Sequence, residues 1–511
     1  MALPLIELLG SCSWHSTNEL PDVLVTGLTS DSRETGSGMV FVALAGLRVD
    51  GHQYIGQAAA NGCAAVLVEA GHGVDLACCG SVPIIEVDDS RLALAELAAA
   101  FYGFPAKDMV LIGITGTNGK TTSTYLLESI IRELGGNPGV IGTINYRYNS
   151  KEFPAPFTTP EPILLQKMLF DMATAGVSHV IMETSSHALA QKRVAGLEFD
   201  VALFTNLSRD HLDFHGSMEA YFEAKKLLFK QLKPHGYGAV VVVDNIDASW
   251  GERLLEELKA GRSNAKDIDY KVISCGLNAQ LDINASQINY GIFGTTAQLD
   301  VMGTTLAIKS DLPGEFNLKN IIGAVAVAAA LRIDLKYVEM GLKNAGRIPG
   351  RLERIGAHAP KKLEGSYPAV FVDYAHTPDA LKNVLRTLKE LCRHRVFVVF
   401  GCGGDRDQGK RYLMGQVAGK LADGVIITAD NSRSESTTLI MAEIERGVKA
   451  TGQTCCFTIA DRREAIARGI TLADTEDVVL VAGKGHENYQ INRAGKVFFD
   501  DRQEVEKLLK V

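Results

Sequence analysis

Residues 113–122 read GITGTNGKTT, a string that holds the pieces of a phosphate-binding loop with one piece displaced. The common form is Gly, four residues, then Gly-Lys-Ser/Thr. Counting back from Gly119-Lys120-Thr121 puts Ile114 where the first glycine belongs. Gly116 and Gly119 still let backbone N–H groups converge on an anion, and a helix starting after them adds partial positive charge. Lys120 can reach terminal phosphates, and the Thr121 hydroxyl can ligate Mg²⁺. The chemistry on offer is phosphoryl transfer from a nucleotide. No NKxD guanine-reading string occurs, so ATP is expected over GTP. A tight strand-to-helix turn with a solvated lysine would have to produce the whole string without purpose.

A phosphate loop needs a strand before it and a helix after it. Residues 109–114 form a β-run, and residues 121–134 carry Leu127, Ile130, Ile131 and Leu134 as one apolar stripe, stopped by Gly135-Gly136. Further β-runs of this block are SHVIMET, VALFTNL and YGAVVVVD. A third block follows GRIPGR, with PAVFVDY, HRVFVVF, DGVIITA and DVVLVAG each ending in polar residues or glycines. In open parallel sheets ligands gather at those carboxyl ends. The first hundred residues hold the α/β units GMVFVAL and AAVLVEA, and YGFP at 102–105 reads as a linker. Alternating strands and helices predict an α/β protein with mostly parallel sheets in three domains, 1–105, 106–346 and 347–511.

Composition narrows the class. A chain of 511 residues is too long for one core. The net charge of −8 argues against a nucleic-acid or acidic-membrane partner, while leaving room for local cationic clusters. No apolar run reaches the roughly 18 residues needed to span a bilayer; the Ala-rich stretch 321–331 is expected as a buried helix. The opening MALPLIELLGSC lacks a basic region and carries Glu7, so no signal peptide is expected. Nine cysteines without CxxC pairs suit reduced thiols in a cytoplasm, with Cys78-Cys79 and Cys455-Cys456 expected to be buried.

GTNGKTT followed by METSSHAL, TNLSRDHLDFHGSMEAYFEAK, FNLKNIIGA, GRLE and DYAHTPDAL resembles the Mur ligase family. GCGGDRDQGKR, DNSRSES and GKGHENYQ resemble the branch that adds the third amino acid of the peptidoglycan stem peptide. The resemblance covers nearly the whole chain, with its motifs in order. It implies an N-terminal UDP-substrate domain, a central P-loop-type ATPase domain and a C-terminal Rossmann-like domain. It also implies a reaction. ATP phosphorylates the D-Glu carboxylate of UDP-N-acetylmuramoyl-L-alanyl-D-glutamate, an amine attacks the acyl phosphate, and phosphate leaves. Because two anions must meet, such a site needs cations more than a nucleophilic side chain.

What the resemblance implies for residues is specific. ATP falls to Gly116, Thr117, Asn118, Gly119, Lys120, Thr121 and Thr122, to Asn317 and Asn320 near the base, and to Arg351 and Asp373 near the ribose, with His376 on the same wall. Asn317 also reads as a helix cap. Thr121, Glu183 and His211 are metal positions, although Mg²⁺ prefers oxygen and His211 rests on the resemblance alone. Lys225 matches the lysine that CO₂ converts to a carbamate; the residues themselves do not separate it from Lys226. Lys120, Glu183, His211 and Lys225 form the catalytic set. The UDP-substrate would meet Ser30, Ser32, Leu47, Arg48 and Val49 at one end, and Thr158, Thr159, Ser185, Gln191 and Arg193 at the other. Arg193 is the natural partner of a substrate carboxylate.

Arg406, Asp430, Asn431, Ser432, Arg433, Gly483 and Glu487 resemble the amino-acid pocket, with Ser432 standing where the family has proline. Arg433 can pair with the distal carboxylate of meso-diaminopimelate, which L-lysine lacks, so the former is expected. A folylpolyglutamate synthase is the nearest rival; the UDP-type domain and DNSR…GKGHE speak against it. A P-loop switch or motor would not need a third domain with strand-end polar clusters. A cytoplasmic monomer without nucleic-acid partner or membrane insertion is expected.

Overall fold

The computed structural model describes all residues except 17–19, 47–48, 74–75, 244–249, 265–268, 357–366 and 511. Two compact units emerge, Met1–Asn284 with Ile322–Gly341, and Ala285–Ile321 with Leu342–Val511.

In the first unit a small sheet takes the order Gly27–Thr29, Met39–Val42, Ala65–Glu69, Ile84–Val87, all parallel. Helix Ser90–Phe101 follows, its start fixed by the Asp89 carboxylate accepting from Leu92 N–H at 2.8 Å. Gly103 at φ 72° and Phe104 at φ 53° then turn the chain at the expected linker.

The larger sheet runs Lys151–Pro154, Asn145–Tyr148, Pro138–Ile141, His179–Glu183, Val110–Thr115, Val201–Phe204, Gly238–Val243, Lys271–Gly276. Strands from Pro138–Ile141 onward are parallel, and the first two form an antiparallel edge hairpin. A parallel strand covered on both faces needs apolar residues throughout, which is why VLIGIT does not alternate. Gly113 is the exception: an added Cβ would lie 2.7 Å from Leu228 and 2.8 Å from Phe199. Helix Lys120–Glu133 starts one residue earlier than expected, and its buried stripe is Leu126, Leu127, Ile130 and Ile131. Leu134 lies past the helix end and is exposed, so it drops out of the predicted stripe.

The second unit contains the antiparallel pair Gly294–Val301 and Thr304–Ser310, joined by Met302 and Gly303 at φ 52° and 89°. Its six-stranded sheet has the order Glu353–Ile355, Ala369–Asp373, Val478–Ala482, Val396–Phe400, Gly424–Ile427, Cys456–Thr458. Only the first strand is antiparallel. The last strand in sequence is inserted between the first two parallel ones, so loops 373–376, 401–408, 428–433 and 483–487 all leave the same sheet edge. Helix Pro378–Leu391 covers the sheet with Leu381, Val384, Leu385 and Leu388; Thr377 caps it and proline opens it. The fold class is the expected one, α/β with mostly parallel sheets. No disulfide joins the described cysteines. The two cysteine pairs are less buried than expected, because Cys78 is exposed and Cys455 and Cys456 are half-buried.

Under the second sheet's carboxyl edge, Arg462 and Asp501 form a fully buried bidentate pair at 2.6 and 2.7 Å. The same guanidinium donates to the Ala429 and Ala482 carbonyls at 3.1 and 3.0 Å, tying two strand ends together. Removing one partner leaves an uncompensated buried charge. Asp501→Ala is expected to destabilise this unit by about 3–5 kcal/mol, read from the urea midpoint. Arg462→Met with Asp501→Leu should recover most of that loss.

Candidate active site

The phosphate loop leaves the middle of the larger sheet. Ile114, the displaced position, is still strand: it is buried, and its carbonyl accepts from Thr184 N–H at 2.8 Å. The turn is made instead by Gly116 at φ 146° and Gly119 at φ 89°, where other residues are strained. Gly116 also packs against Thr205, leaving no room for a Cβ. Neighbouring residues hold the loop's shape. Asn206 accepts Thr117 N–H on its carbonyl and Asn118 N–H on its side chain at 2.9 and 3.0 Å. Thr205 donates to the Asn118 carbonyl at 2.6 Å. Thr121 and Thr122 are buried in the first helical turn.

Lys120 Nζ lies back over the loop, donating to the Gly116 and Thr117 carbonyls at 2.8 and 3.0 Å. Lys225 Nζ donates to the same Gly116 carbonyl at 2.8 Å and stands 4.3 Å over the Tyr221 ring. Lys225 is buried, whereas Lys226 pairs with Glu223 and Glu257 at 2.5 and 2.9 Å. Geometry thus separates two lysines that spacing left equivalent. Burial, reinforced by the Lys120 charge, pushes the Lys225 pKa well below that of an ordinary lysine.

Glu183 ends the strand beside the loop's own, in register with Ile114. Its two carboxylate oxygens accept from Thr143 N–H at 3.0 Å and Thr143 Oγ1 at 2.9 Å. Gly142 makes room, since a Cβ there would approach Glu183 Oε1 to 2.5 Å. His211 sits at φ 53° and is half-exposed, with Nε2 3.5 Å from Asp210. Its pKa is lowered, first by burial and then by Lys120 and Lys225. His187 packs edge-on to it with ring centres 4.7 Å apart, and burial beside His211 and His215 brings His187 to about 4.

The sugar-peptide residues assemble next to Glu183. Thr159 Oγ1 donates to the Glu183 carbonyl at 2.8 Å and accepts from Ser185 N–H at 3.0 Å, and Thr158 meets Thr143 at 3.0 Å. Arg193 donates to the Thr159 carbonyl and to Gln191, and pairs with Glu161 at 2.9 Å. The carboxylate on Arg193 here is therefore one of the chain's own. Between Gln191 and Arg193, Lys192 adopts φ 58° and reaches the Asp89 carboxylate that caps helix Ser90–Phe101.

At the first sheet's carboxyl edge, Ser32 Oγ donates to Gln57 at 2.8 Å, while Ser30 and Val49 are exposed. Leu47 and Arg48 lie outside the described residues. Nearby, Asp50, His52 and His72 converge like a metal site. His52 Nε2 accepts Glu69 N–H at 3.0 Å, so its proton sits on Nδ1 and is donated to Asp50 at 2.7 Å. Both ring nitrogens are committed, and the group is a tether.

In the second unit, Asp373 accepts from Leu352 and Ala375 N–H at 2.7 and 2.8 Å. Burial raises its pKa against the opposing charge of Arg351. Arg351 lies 5.1 Å over the Tyr374 ring, and Tyr374 contacts the His376 and His486 rings at 4.6 and 4.9 Å. Asn317 and Asn320 are buried on helix Glu315–Ala330, and the Asn317 amide donates to the Pro313 carbonyl at 2.8 Å. Asn317 thus lies inside the helix as its third residue and donates from its side chain, which is not the expected capping role, because a cap flanks the helix and accepts an N–H of its first turn.

The amino-acid residues gather in the adjoining loops. Burial works against the Asp430 charge, but Arg462 and Lys484 outweigh it and hold its carboxyl below the usual range. Asn431 donates to Glu487 at 2.9 Å and accepts Ile491 N–H at 2.8 Å. Gly483, at φ 113°, leaves space for the Asp430 carboxylate. Arg433 adopts φ 51°, and its Nη1 donates to the Gly404 carbonyl at 2.8 Å. Ser432 is buried against Gly404, and its carbonyl accepts Glu435 N–H at 3.0 Å, contacts that hold the turn without proline. Arg406 is exposed and donates to the Asp405 carbonyl at 3.3 Å.

Sequence reasoning missed Thr143, Asn206, Tyr221, His187 and Lys484. Thr143 had no signal, whereas the other four stood inside the quoted strings.

Comparison with known proteins agrees with this geometry. The Mur ligase family catalytic domain matches residues 24–102, the Mur ligase middle domain 114–328, and the Mur ligase glutamate ligase domain 350–485. A UDP-N-acetylmuramoyl-L-alanyl-D-glutamate--2,6-diaminopimelate ligase of Geobacter metallireducens is 42% identical, over 94% of this chain and 93% of that protein. One of the same name from Geobacillus kaustophilus is 41% identical over 96% of this chain and 95% of that protein. A solved ligase of that name superposes with a TM-score of 0.69 at 32% identity, covering 100% of this chain and 99% of its own. The chain belongs to the Mur ligase family.

Proposed function

We propose that this chain catalyses the ATP-dependent addition of meso-2,6-diaminopimelate to UDP-N-acetylmuramoyl-L-alanyl-D-glutamate, a step of peptidoglycan precursor synthesis. The observation that carries it is the convergence of Lys120 and Lys225 on the Gly116 carbonyl, beside the Glu183 strand end. Activity in the relatives' names supports the same substrates. Lys120 and the helix N-terminus would hold the nucleotide phosphates and bring them to the D-Glu carboxylate. Thr159, Ser185, Gln191 and Arg193 would orient the sugar-peptide end, with Arg193 exchanging Glu161 for a substrate carboxylate. Ser30, Ser32 and residues 47–49 would meet the uridine end.

The donor set fits Mg²⁺ at Glu183, on the strand end in register with Ile114, and at Thr121, in the first turn of the helix after the loop. When bound, the ion would neutralise phosphate charge. A Lys225 ammonium would repel a second ion shared with His211. A neutral Lys225 amine adding CO₂ loses one proton and becomes a carbamate with anionic oxygens, which fits. The lowered pKa of Lys225 supplies that neutral amine. In the second unit, Asn317, Asn320, Arg351 and Asp373 would take the nucleoside. Asp430, Asn431, Arg433, Gly483 and Glu487 would take the amino acid, with Arg406 and Ser432 at the margin. The domains run 1–105, 106–346 and 347–511, and the protein acts as a cytoplasmic monomer.

Three measurements test the reading. Lys120→Ala should lower kcat by about 10²–10³-fold while UDP-substrate affinity holds; substantial ligation by the variant overturns the loop's role. Lys225→Ala should lose activity on a similar scale and regain part of it with short carboxylates, whereas a fully active variant refutes the carbamate. The native enzyme should prefer meso-diaminopimelate over L-lysine by about several hundred-fold, corresponding to roughly 3–4 kcal/mol, and Arg433→Ala should erase most of that preference. Equal efficiency with lysine would sink the substrate assignment.

A further inference from the structure

Lys484 is fully buried, yet no step proposed above uses it. A buried ammonium is costly unless it is paired and hydrogen-bonded. This one donates to the Tyr489 carbonyl and to Glu487 Oε2, the latter at 3.4 Å, and stands 4.0 Å from Asp430 Oδ1. It therefore lies against both carboxylates of the amino-acid pocket. Asn431 holds the same Glu487 oxygen from the other side at 2.9 Å.

Charge counting gives this position a meaning. Arg462 and Asp501 cancel as a bidentate pair. Arg411 pairs with two part-exposed carboxylates, Glu435 and Glu443, at 2.8 and 3.1 Å, and the excess negative charge of that cluster faces solvent. With exposed Arg406 set against Asp405 at the margin, what remains around the pocket is Asp430 and Glu487 against Lys484 and Arg433, a balanced set. A balanced set of this kind suits an end group that carries an ammonium and a carboxylate together. Without Lys484 the set would hold one surplus negative charge. An end group bearing only an ammonium would then fit better. We infer that Lys484 is a specificity-determining positioning residue, which acts through Glu487 and Asp430 to make the pocket select a zwitterionic end group over a lone ammonium. The inference rests on the reading of this pocket as the amino-acid site.

The test uses the full-length enzyme with ATP, UDP-N-acetylmuramoyl-L-alanyl-D-glutamate and a mixture of meso-diaminopimelate and L-lysine. Product ratios and separate kcat/KM values are measured for native protein, Lys484→Met and Lys484→Gln. The preference for meso-diaminopimelate should fall at least about tenfold in both variants, through KM for the amino acid, with KM for ATP and UDP-substrate within about twofold of native. Lys484→Gln/Glu487→Gln should lose less preference than the sum of the two single variants, because the lysine acts in part through that carboxylate. A general packing defect would instead lower both amino acids in proportion. That result, or an unchanged ratio, overturns the inference. If the Met variant does not fold, the Gln variant, which keeps a donor for the Tyr489 carbonyl, decides. A Gln variant that still binds ATP and UDP-substrate but ligates neither amino acid also overturns it. A native enzyme with no preference for meso-diaminopimelate would overturn the substrate reading itself, a separate outcome.

Discussion

Two lysine Nζ groups donating to one carbonyl oxygen set the constraint on the first unit, because two ammonium charges placed there repel each other. Lys120 and Lys225 meet at Gly116, and each disfavours the other's charge. Much of the first unit follows from keeping them there. The loop must hold a backbone that other residues resist, so Gly116 and Gly119 make it and Thr205 and Asn206 fasten it. The carboxylate at the neighbouring strand end, Glu183, is held in direction by Thr143, which donates to both its oxygens.

The second unit solves the opposite problem. Its sheet edge collects carboxylates, Asp373, Asp430, Glu487 and Asp501, each largely withdrawn from water. Four kinds of partner make that tolerable. Backbone N–H groups satisfy Asp373, a bidentate guanidinium satisfies Asp501, and the Asn431 amide and the Lys484 ammonium steady Glu487. Burial with full hydrogen bonding fixes side-chain direction, and a selective pocket needs that more than it needs net stability.

The fold was legible where information is local. Strand, turn and helix around Lys120 follow from a few adjacent residues, as do the strand ends carrying Asp373, Asp430 and Gly483. Leu134 failed because helical periodicity does not say where the last turn ends. The Cys78-Cys79 pair failed because an apolar residue type is not a burial state: one thiol faces water beside a buried neighbour. Lys225 and Lys226 could not be told apart, since only the tertiary fold decides which faces the loop and which faces Glu223 and Glu257. Thr143 was invisible because its partner, Glu183, lies 40 residues away. The tether of Asp50, His52 and His72 depends likewise on a backbone N–H from a neighbouring strand.

The ion pair between Lys192 and Asp89 joins two parts of the first unit through a single residue. Lys192 is flanked directly by Gln191 and Arg193, and its left-handed backbone turns its side chain's anchorage away from theirs. Asp89 in turn holds the first N–H groups of helix Ser90–Phe101, whose residues line the core of the small sheet. In mechanical terms this is a tie with one end beside the residues proposed to meet the sugar-peptide and the other in the frame that carries the loops proposed for the uridine. If both ends bind as proposed, a load placed on Arg193 would be shared one peptide unit away by that frame, and the spacing between the two ends of a long substrate would be set by the protein as a gauge length.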